Sequence, residues 1–390
     1  MEKISKVENK FINWIENHID CLIIIGIVLF SLILRYFMLS YQSEDFKNFL
    51  SPWFYELKEA GGLSGLANYP GDYNAPYMTI LALLTYLKIN PLISIKIISI
   101  IFDYILAFLV GKFVYDVISK DNNRKMLSIL AFGITLFLPT VVMNGALWAQ
   151  CDVIYTTFLV LAFYFLYKDK TLFSFISLGL AFAFKLQFIF VLPVYIILYF
   201  RKKNFSILYF LIIPLVNFIL CLPAIIAGKP ISECLLVYFN QTSTYKSLNL
   251  NFPNLYSLIN GNEQYLSKIG ILTLIIIFAF LLFYIIKKKV NFNMEKILLL
   301  GVLSIVLCTY FLPYMHERYL FAADIFSLLY CVLYKRNYLV AILISFISIT
   351  SYCMFLFNSY LVPSYLLSMI FFGILIYLFK DFIVMIKNEK

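Results

Sequence analysis

The chain has 390 residues, of which 63% are hydrophobic, 19% aromatic and 13% charged, and its net charge is +10 at neutral pH. A soluble domain is about half apolar and about a quarter charged. This composition therefore excludes a cytosolic enzyme, a nucleic-acid-binding module and a disulfide-stapled secreted domain.

Apolar runs fall at 21–39, 92–115, 126–143, 153–167, 172–184, 187–200, 205–227, 270–286, 297–314, 319–334, 338–357 and 361–379. A helix of about 20 apolar residues crosses ~30 Å of hydrocarbon. The runs predict an all-α polytopic membrane protein of about 12 transmembrane helices, a single integral membrane domain over 1–390. No small-residue cleavage site follows the first run, so it reads as a retained span, not a signal peptide. A further stretch, 73–87, would rise only about 22 Å as a helix, short of a crossing.

Cytoplasmic loops carry an excess of Lys and Arg. With 73–87 lying flat on the outer surface, the N-terminal tail, 112–125, 168–170, 201–203, 287–296, 335–336 and the C-terminal tail all become cytoplasmic. These segments hold most of the 31 Lys and Arg residues. If 73–87 crossed instead, every later basic loop would flip outward. The sequence thus predicts cytoplasmic termini and outer loops at 40–91, 144–152 and 228–269, the first with juxtamembrane helices. A smaller outer turn holds His316-Glu317-Arg318. The positive charge reports topology, and no nucleic-acid partner is expected. Heavy use of Ile, Phe, Tyr, Lys and Asn fits an AT-rich bacterial genome.

The acids concentrate in the outer loops. Asp45 opens an amphipathic stretch in which Phe46, Phe49, Leu50 and Trp53 recur at helical spacing. A helix lying on the membrane would hold this acid at the water–lipid boundary, where it could take a proton from a lipid-borne hydroxyl. The plainer alternative is a helix N-cap. Asp152 has the same two readings, and Trp148 and Gln150 beside it could be interface anchors. Asp72 sits in a turn-rich stretch, Gly71-Asp72-Tyr73-Asn74. Lys185, with Gln187 close by, interrupts two short apolar halves. A cation at such a break needs a partner, which makes Lys185 a candidate for a lipid phosphate; snorkelling is the alternative. Arg318 offers a planar fork of donors to a phosphate, with His316 in support. Arg35, Asp103 and Asp324 lie within predicted spans, as helix contacts or as function. Seven cysteines without a CxxC, and only His18 and His316, leave no His-rich metal site.

Four motifs in order carry a resemblance. Glu44-Asp45-Phe46 is followed by Pro52-Trp53; then come Gly71-Asp72-Tyr73-Asn74-Ala75-Pro76-Tyr77, Trp148-Ala149-Gln150-Cys151-Asp152 and His316-Glu317-Arg318-Tyr319-Leu320. They resemble the outer-loop motifs of GT-C superfamily glycosyltransferases, including the "DYPPLTAY", "HFQYN" and "HEK" motifs. The nearest likeness is to the lipid-linked-oligosaccharide glucosyltransferases of the N-glycan pathway and to bacterial mannosyltransferase-like relatives. The resemblance implies a GT-C fold and a polyprenyl-phosphate sugar donor. It implies a lipid-linked glycan, glycolipid or cell-wall polysaccharide as acceptor. Asp45 becomes the general base, and Arg318, His316 and Lys185 face the donor phosphate. Glu44, Asp72, Tyr73, Trp148, Gln150, Asp152 and Gln187 are the substrate-binding candidates. Trp148 replaces a family His, Asp152 an Asn and Arg318 a Lys. An acid at position 152 is similar to GT-C branches that bind a metal there, so Asp152 is also a candidate ligand for a divalent cation. The competing reading is a transporter or flippase of a lipid-linked glycan, but such proteins place ionisable groups near the midplane and often show internal repeats.

Overall fold

A computed structural model describes residues 5–69, 71–119, 121–244 and 247–387, with side chains at 239–246 left aside. The first four and last three residues, which carry the ends of both predicted tails, lie outside the described residues. Among the described residues, apart from one two-residue parallel bridge, Asn249–Leu250 with Met315–His316, the regular structure is helical. Among the described residues, seven helices are long and apolar enough to cross a membrane, or eight if a pair bent by 50° counts as one span. The outward faces are greasy: Ile226 is 82% exposed and Phe283 63%. In water such faces would aggregate. They define a polytopic protein embedded in a membrane.

Helix α1 (Lys6–Tyr36) starts at a capping box between Ser5 and Glu8, well before the first apolar run, because its amphipathic first turns continue the same helix. The short helices α2 (Ser51–Glu59) and α3 (Ala75–Leu84) follow, then α4 (Pro91–Val117). The Lys96 ammonium on α4 donates to the carbonyls of Met38, Leu39 and Tyr41 at 2.9, 3.2 and 2.6 Å. The start of α4 therefore lies beside the end of α1, and the excursion between them leaves and re-enters at one end of the bundle. Deeper down, Arg35 pairs with Asp103 at 2.9 Å and donates to the Leu136 carbonyl, tying α1, α4 and α5 (Arg124–Phe137) together.

Pro139 forces Leu138 into an extended conformation (ψ 121°). The chain then bends into α6 (Pro139–Val142) and a wide turn, Met143–Leu147. Two helices, α7 (Asp152–Tyr167) and α8 (Thr171–Phe184), run from one end of the bundle to the other and back. At one end Lys112, Tyr164 and Lys168 gather on Asp116. At the other, Lys185 meets Asp152. Lys335 reaches Asp121 and Arg336 reaches Glu295, so further basic loops sit with the Asp116 end.

Beyond Lys185 the chain forms a 3-10 stretch, Leu186–Val191, before α9 (Leu192–Lys202). Pro193 cannot donate to residue 189, so one uninterrupted helix is not available here. Next come α10 (Ile212–Ala227) and α11 (Ile231–Thr244), the second lying in the predicted outer loop. The bundle is completed by α12 (Glu263–Lys287), α13 (Met294–Phe311), α14 (Phe321–Tyr334), α15 (Tyr338–Phe357) and α16 (Ser364–Lys387).

Candidate functional site

Seven chain segments converge at the end opposite the basic loops. They line an open cavity of about 220 Å³. Asp45, Asp72, Tyr73, Gln150, Lys185, Gln187, His316 and Arg318 all border it, with an apolar wall from Phe49, Trp53, Phe184 and Phe355.

Asp45 precedes a π turn, Phe46–Leu50, that leads into α2. Its Oδ2 accepts from Trp148 Nε1 at 2.9 Å and from Gln150 Nε2 at 2.7 Å, and Arg318 Nη1 stands 3.6 Å away. Among the described residues Oδ1 accepts no hydrogen bond. Tyr73 donates to Gln150 Oε1 at 2.9 Å, which sets the amide so that its nitrogen faces Asp45.

The backbone makes this possible at Ala149, which takes a left-handed conformation (φ 67°). That costs a non-glycine residue about 1–2 kcal/mol, and it turns Trp148 and Gln150 onto the same carboxylate. Ser43 Oγ holds the Trp148 carbonyl at 2.8 Å, and Ser99 Oγ holds that of Gln150 at 2.7 Å. Phe355 stacks on Trp148 with ring centres 4.8 Å apart.

Asp152 opens α7 and is fully buried. Its Oδ1 takes Lys185 Nζ at 2.7 Å and its Oδ2 takes Asn144 Nδ2 at 2.9 Å, with Arg318 Nε at 3.8 Å. As a candidate metal ligand it thus has both oxygens engaged by protein donors. Among the described residues no group of three or more His, Cys, Asp or Glu is arranged to hold a metal ion. The Lys185 ammonium also lies 5.5 Å from the Tyr73 ring centre, a cation–π contact.

Arg318 lies among three carboxylates. Besides Asp45 and Asp152, it bonds Glu317 at 2.9 Å, and its guanidinium sits 5.4 Å from the Trp148 ring centre. Burial pushes the Glu317 carboxyl up to about 7, against the pull of Arg318. Burial, with the Arg318 and Lys185 charges, holds His316 well below its usual range, so the ring is neutral. The bridge between Asn249–Leu250 and Met315–His316 sets where this turn lies.

Glu44, expected among the substrate contacts, stands apart. Its side chain is 66% exposed, bonds Lys47 at 2.9 Å and does not border the cavity. Arg35 and Asp103 serve helix packing, and Asp324 accepts from Ser348 away from the cavity. The sequence reading missed Ser43, Ser99 and Asn144, which hold the candidates in place. A lone Ser or Asn carries no local signal of such a role.

Fold and site together define an all-α integral membrane protein with a polar, acid-and-cation cavity at one end of its bundle. Compared with models of known protein families the chain matches none, and no curated protein is significantly similar to it.

Proposed function

We propose that the protein is a membrane hexosyltransferase of GT-C type, with twelve crossings, cytoplasmic termini and its cavity at the outer leaflet. It moves a sugar from a polyprenyl-phosphate donor to a lipid-linked glycan, glycolipid or cell-wall polysaccharide. The observation that carries this reading is the state of Asp45. Trp148 and Gln150 donate to one of its oxygens, with the Arg318 guanidinium 3.6 Å away; among the described residues the other oxygen accepts no hydrogen bond, and the same cavity holds Lys185 and Arg318.

An acceptor hydroxyl attacks the anomeric carbon as the bond from that carbon to the phosphate oxygen breaks. The hydroxyl proton passes to Asp45 Oδ1, an effect typically worth ~10²–10⁴ in rate. Polyprenyl phosphate leaves with the bonding electrons. The charge it gains is met by Arg318 and Lys185, fixed cations that stabilise the transition state more than the ground state. Neutral His316 donates a hydrogen bond to the same group. A single displacement inverts the anomeric centre. The rings of Trp53, Tyr73 and Phe355 supply apolar faces for a sugar or for the first isoprene units.

The test is transfer of labelled sugar from synthetic polyprenyl-phosphate donors to membrane-extracted acceptors, with Asp45→Asn in parallel and with and without chelator. Transfer by the wild type that the variant loses supports the reading. Folded wild-type protein that transfers from no donor would sink it and favour lipid-glycan transport. The chelator arm reads out any need for a divalent cation.

A further inference from the structure

At the end of the bundle opposite the cavity, two basic turns lie side by side. Arg201-Lys202-Lys203 closes α9, and Lys287-Lys288-Lys289 closes α12. Helix α9 packs on α12, and Arg201 donates through Nη2 to the Lys289 carbonyl, so the two turns touch. Both are anchored from behind. Phe205 packs on Phe175 and Tyr199 behind the first, and Val290 and Phe292 are buried behind the second. The five lysines are exposed. Arg201 keeps a buried Nε with no hydrogen-bond partner among the described residues.

Membrane topology asks only that a cytoplasmic loop be basic. It does not ask two such loops to touch, and like charges held together repel. Elsewhere at this end the cations have acids: Lys112 and Lys168 share Asp116, Lys335 has Asp121, and Arg336 has Asp381 and Glu295. Among the described residues none of the six cations at the α9–α12 junction pairs with an acid, and Lys287 makes only a cation–π contact, 5.8 Å from the Phe283 ring centre. Depth in the membrane says where their counter-charge comes from. Phe200, Leu208 and Ile286 flank the six with exposed apolar side chains that belong in hydrocarbon, so the cations stand in the headgroup layer. We propose that the junction binds the headgroup of an anionic phospholipid, whose phosphate lies between the two turns and ties α9 to α12. Arg201 Nε and the lysine ammoniums donate to the phosphate oxygens, as charge-assisted hydrogen bonds. The acyl chains run along the exposed apolar side chains. A lipid with two phosphates, diphosphatidylglycerol, meets more of the six charges and binds more tightly than one with a single phosphate.

The experiment is native mass spectrometry of the full chain in a neutral detergent, titrated with phosphatidylglycerol, diphosphatidylglycerol or phosphatidylcholine. The wild type should bind both anionic lipids at least about tenfold more tightly than phosphatidylcholine, and less tightly as salt rises. Lys202→Gln, Lys203→Gln, Lys287→Gln and Lys288→Gln together should abolish that preference. The first two alone, and the last two alone, should each weaken the same lipid, because one headgroup touches both turns. These two-residue variants carry the test if the fourfold variant fails to fold, which thermal unfolding reports. Lys168→Gln with Lys335→Gln removes two cations from the same end and should leave the preference unchanged. Equal affinity of the wild type for all three lipids would overturn the proposal, and so would an equal loss from the Lys168 and Lys335 pair. Displacement of the lipid by inorganic phosphate would assign the junction to a free anion and overturn the lipid as its ligand.

Discussion

The Trp148 indole donates to Asp45 Oδ2 at 2.9 Å, and this bond joins residues 103 positions apart in the chain. With Gln150 on the same oxygen, it leaves the carboxylate one defined face for a substrate. Asp45→Asn should abolish transfer, by about 10²–10⁴ in kcat, with donor binding retained. Trp148→Phe removes one donor and should cost about 1–1.5 kcal/mol, roughly a 5- to 12-fold drop in kcat. Transfer kinetics with a synthetic donor distinguish the two. Equal losses from both variants would mean that the pair acts by holding the fold.

Lys185 and Asp152 form a buried pair at 2.7 Å. Removing one partner strands a buried charge, so Lys185→Met should destabilise the protein by about 3–5 kcal/mol. Adding Asp152→Asn should recover much of that loss. Thermal unfolding in detergent of wild type, both single variants and the double variant measures the coupling. If the pair only packs, the double variant regains transfer. If Lys185 binds phosphate, it regains stability and remains inactive.

Glu317 titrates near 7 beside Arg318, whereas a glycosyl phosphodiester keeps one negative charge across that range. Below about pH 7 the acid is protonated and Arg318 is free of its competition. Anionic donor binding should therefore tighten as pH falls from 8 to 6, by roughly fivefold, or about 1 kcal/mol. Glu317→Gln should flatten the profile. On stability alone, the raised carboxyl contributes most below its ordinary value of 4.5, and that contribution is lost as pH rises through about 7. His316, held low, acts with the opposite sign: its contribution is present above 6.5 and is lost as pH falls below that value. Binding isotherms at pH 6, 7 and 8 read the first effect without the second.

Lys96 caps the end of α1 through three carbonyls and so positions the segment that leads to Asp45. Lys96→Met leaves those carbonyls unsatisfied, at about 1–3 kcal/mol. A positioning role predicts a fall in kcat with little change in KM, because the acid shifts while the cations of the cavity stay. An unchanged kcat in a folded variant would assign Lys96 to stability alone.

Arg318→Lys keeps the charge but loses the planar contact with Trp148 and the fork of donors. Transfer should fall roughly 10- to 100-fold, equivalent to about 1.5–3 kcal/mol of charge-assisted hydrogen bonding. Steady-state rates with saturating donor check this.

The sequence by itself determined the helical, membrane-embedded class, because hydrocarbon admits only long apolar segments with their backbone groups satisfied internally. It also singled out Asp45, Gln150, Lys185 and Arg318, because polar residues stand out against an apolar background. Glu44 lies outside the cavity lining, since adjacency to Asp45 in the chain says nothing about which way a side chain points on a helical turn. Only the tertiary structure decided that Lys185 finds its partner in Asp152, that Arg318 lies among three acids, and that Ser43, Ser99 and Asn144 hold them. Apart from Glu317 with Arg318 and Asn144 with Asp152, those pairings join residues far apart in the chain. They depend on the bend at Pro139, the break at Lys185 and the left-handed turn at Ala149, and no local pattern encodes which distant groups such turns bring together.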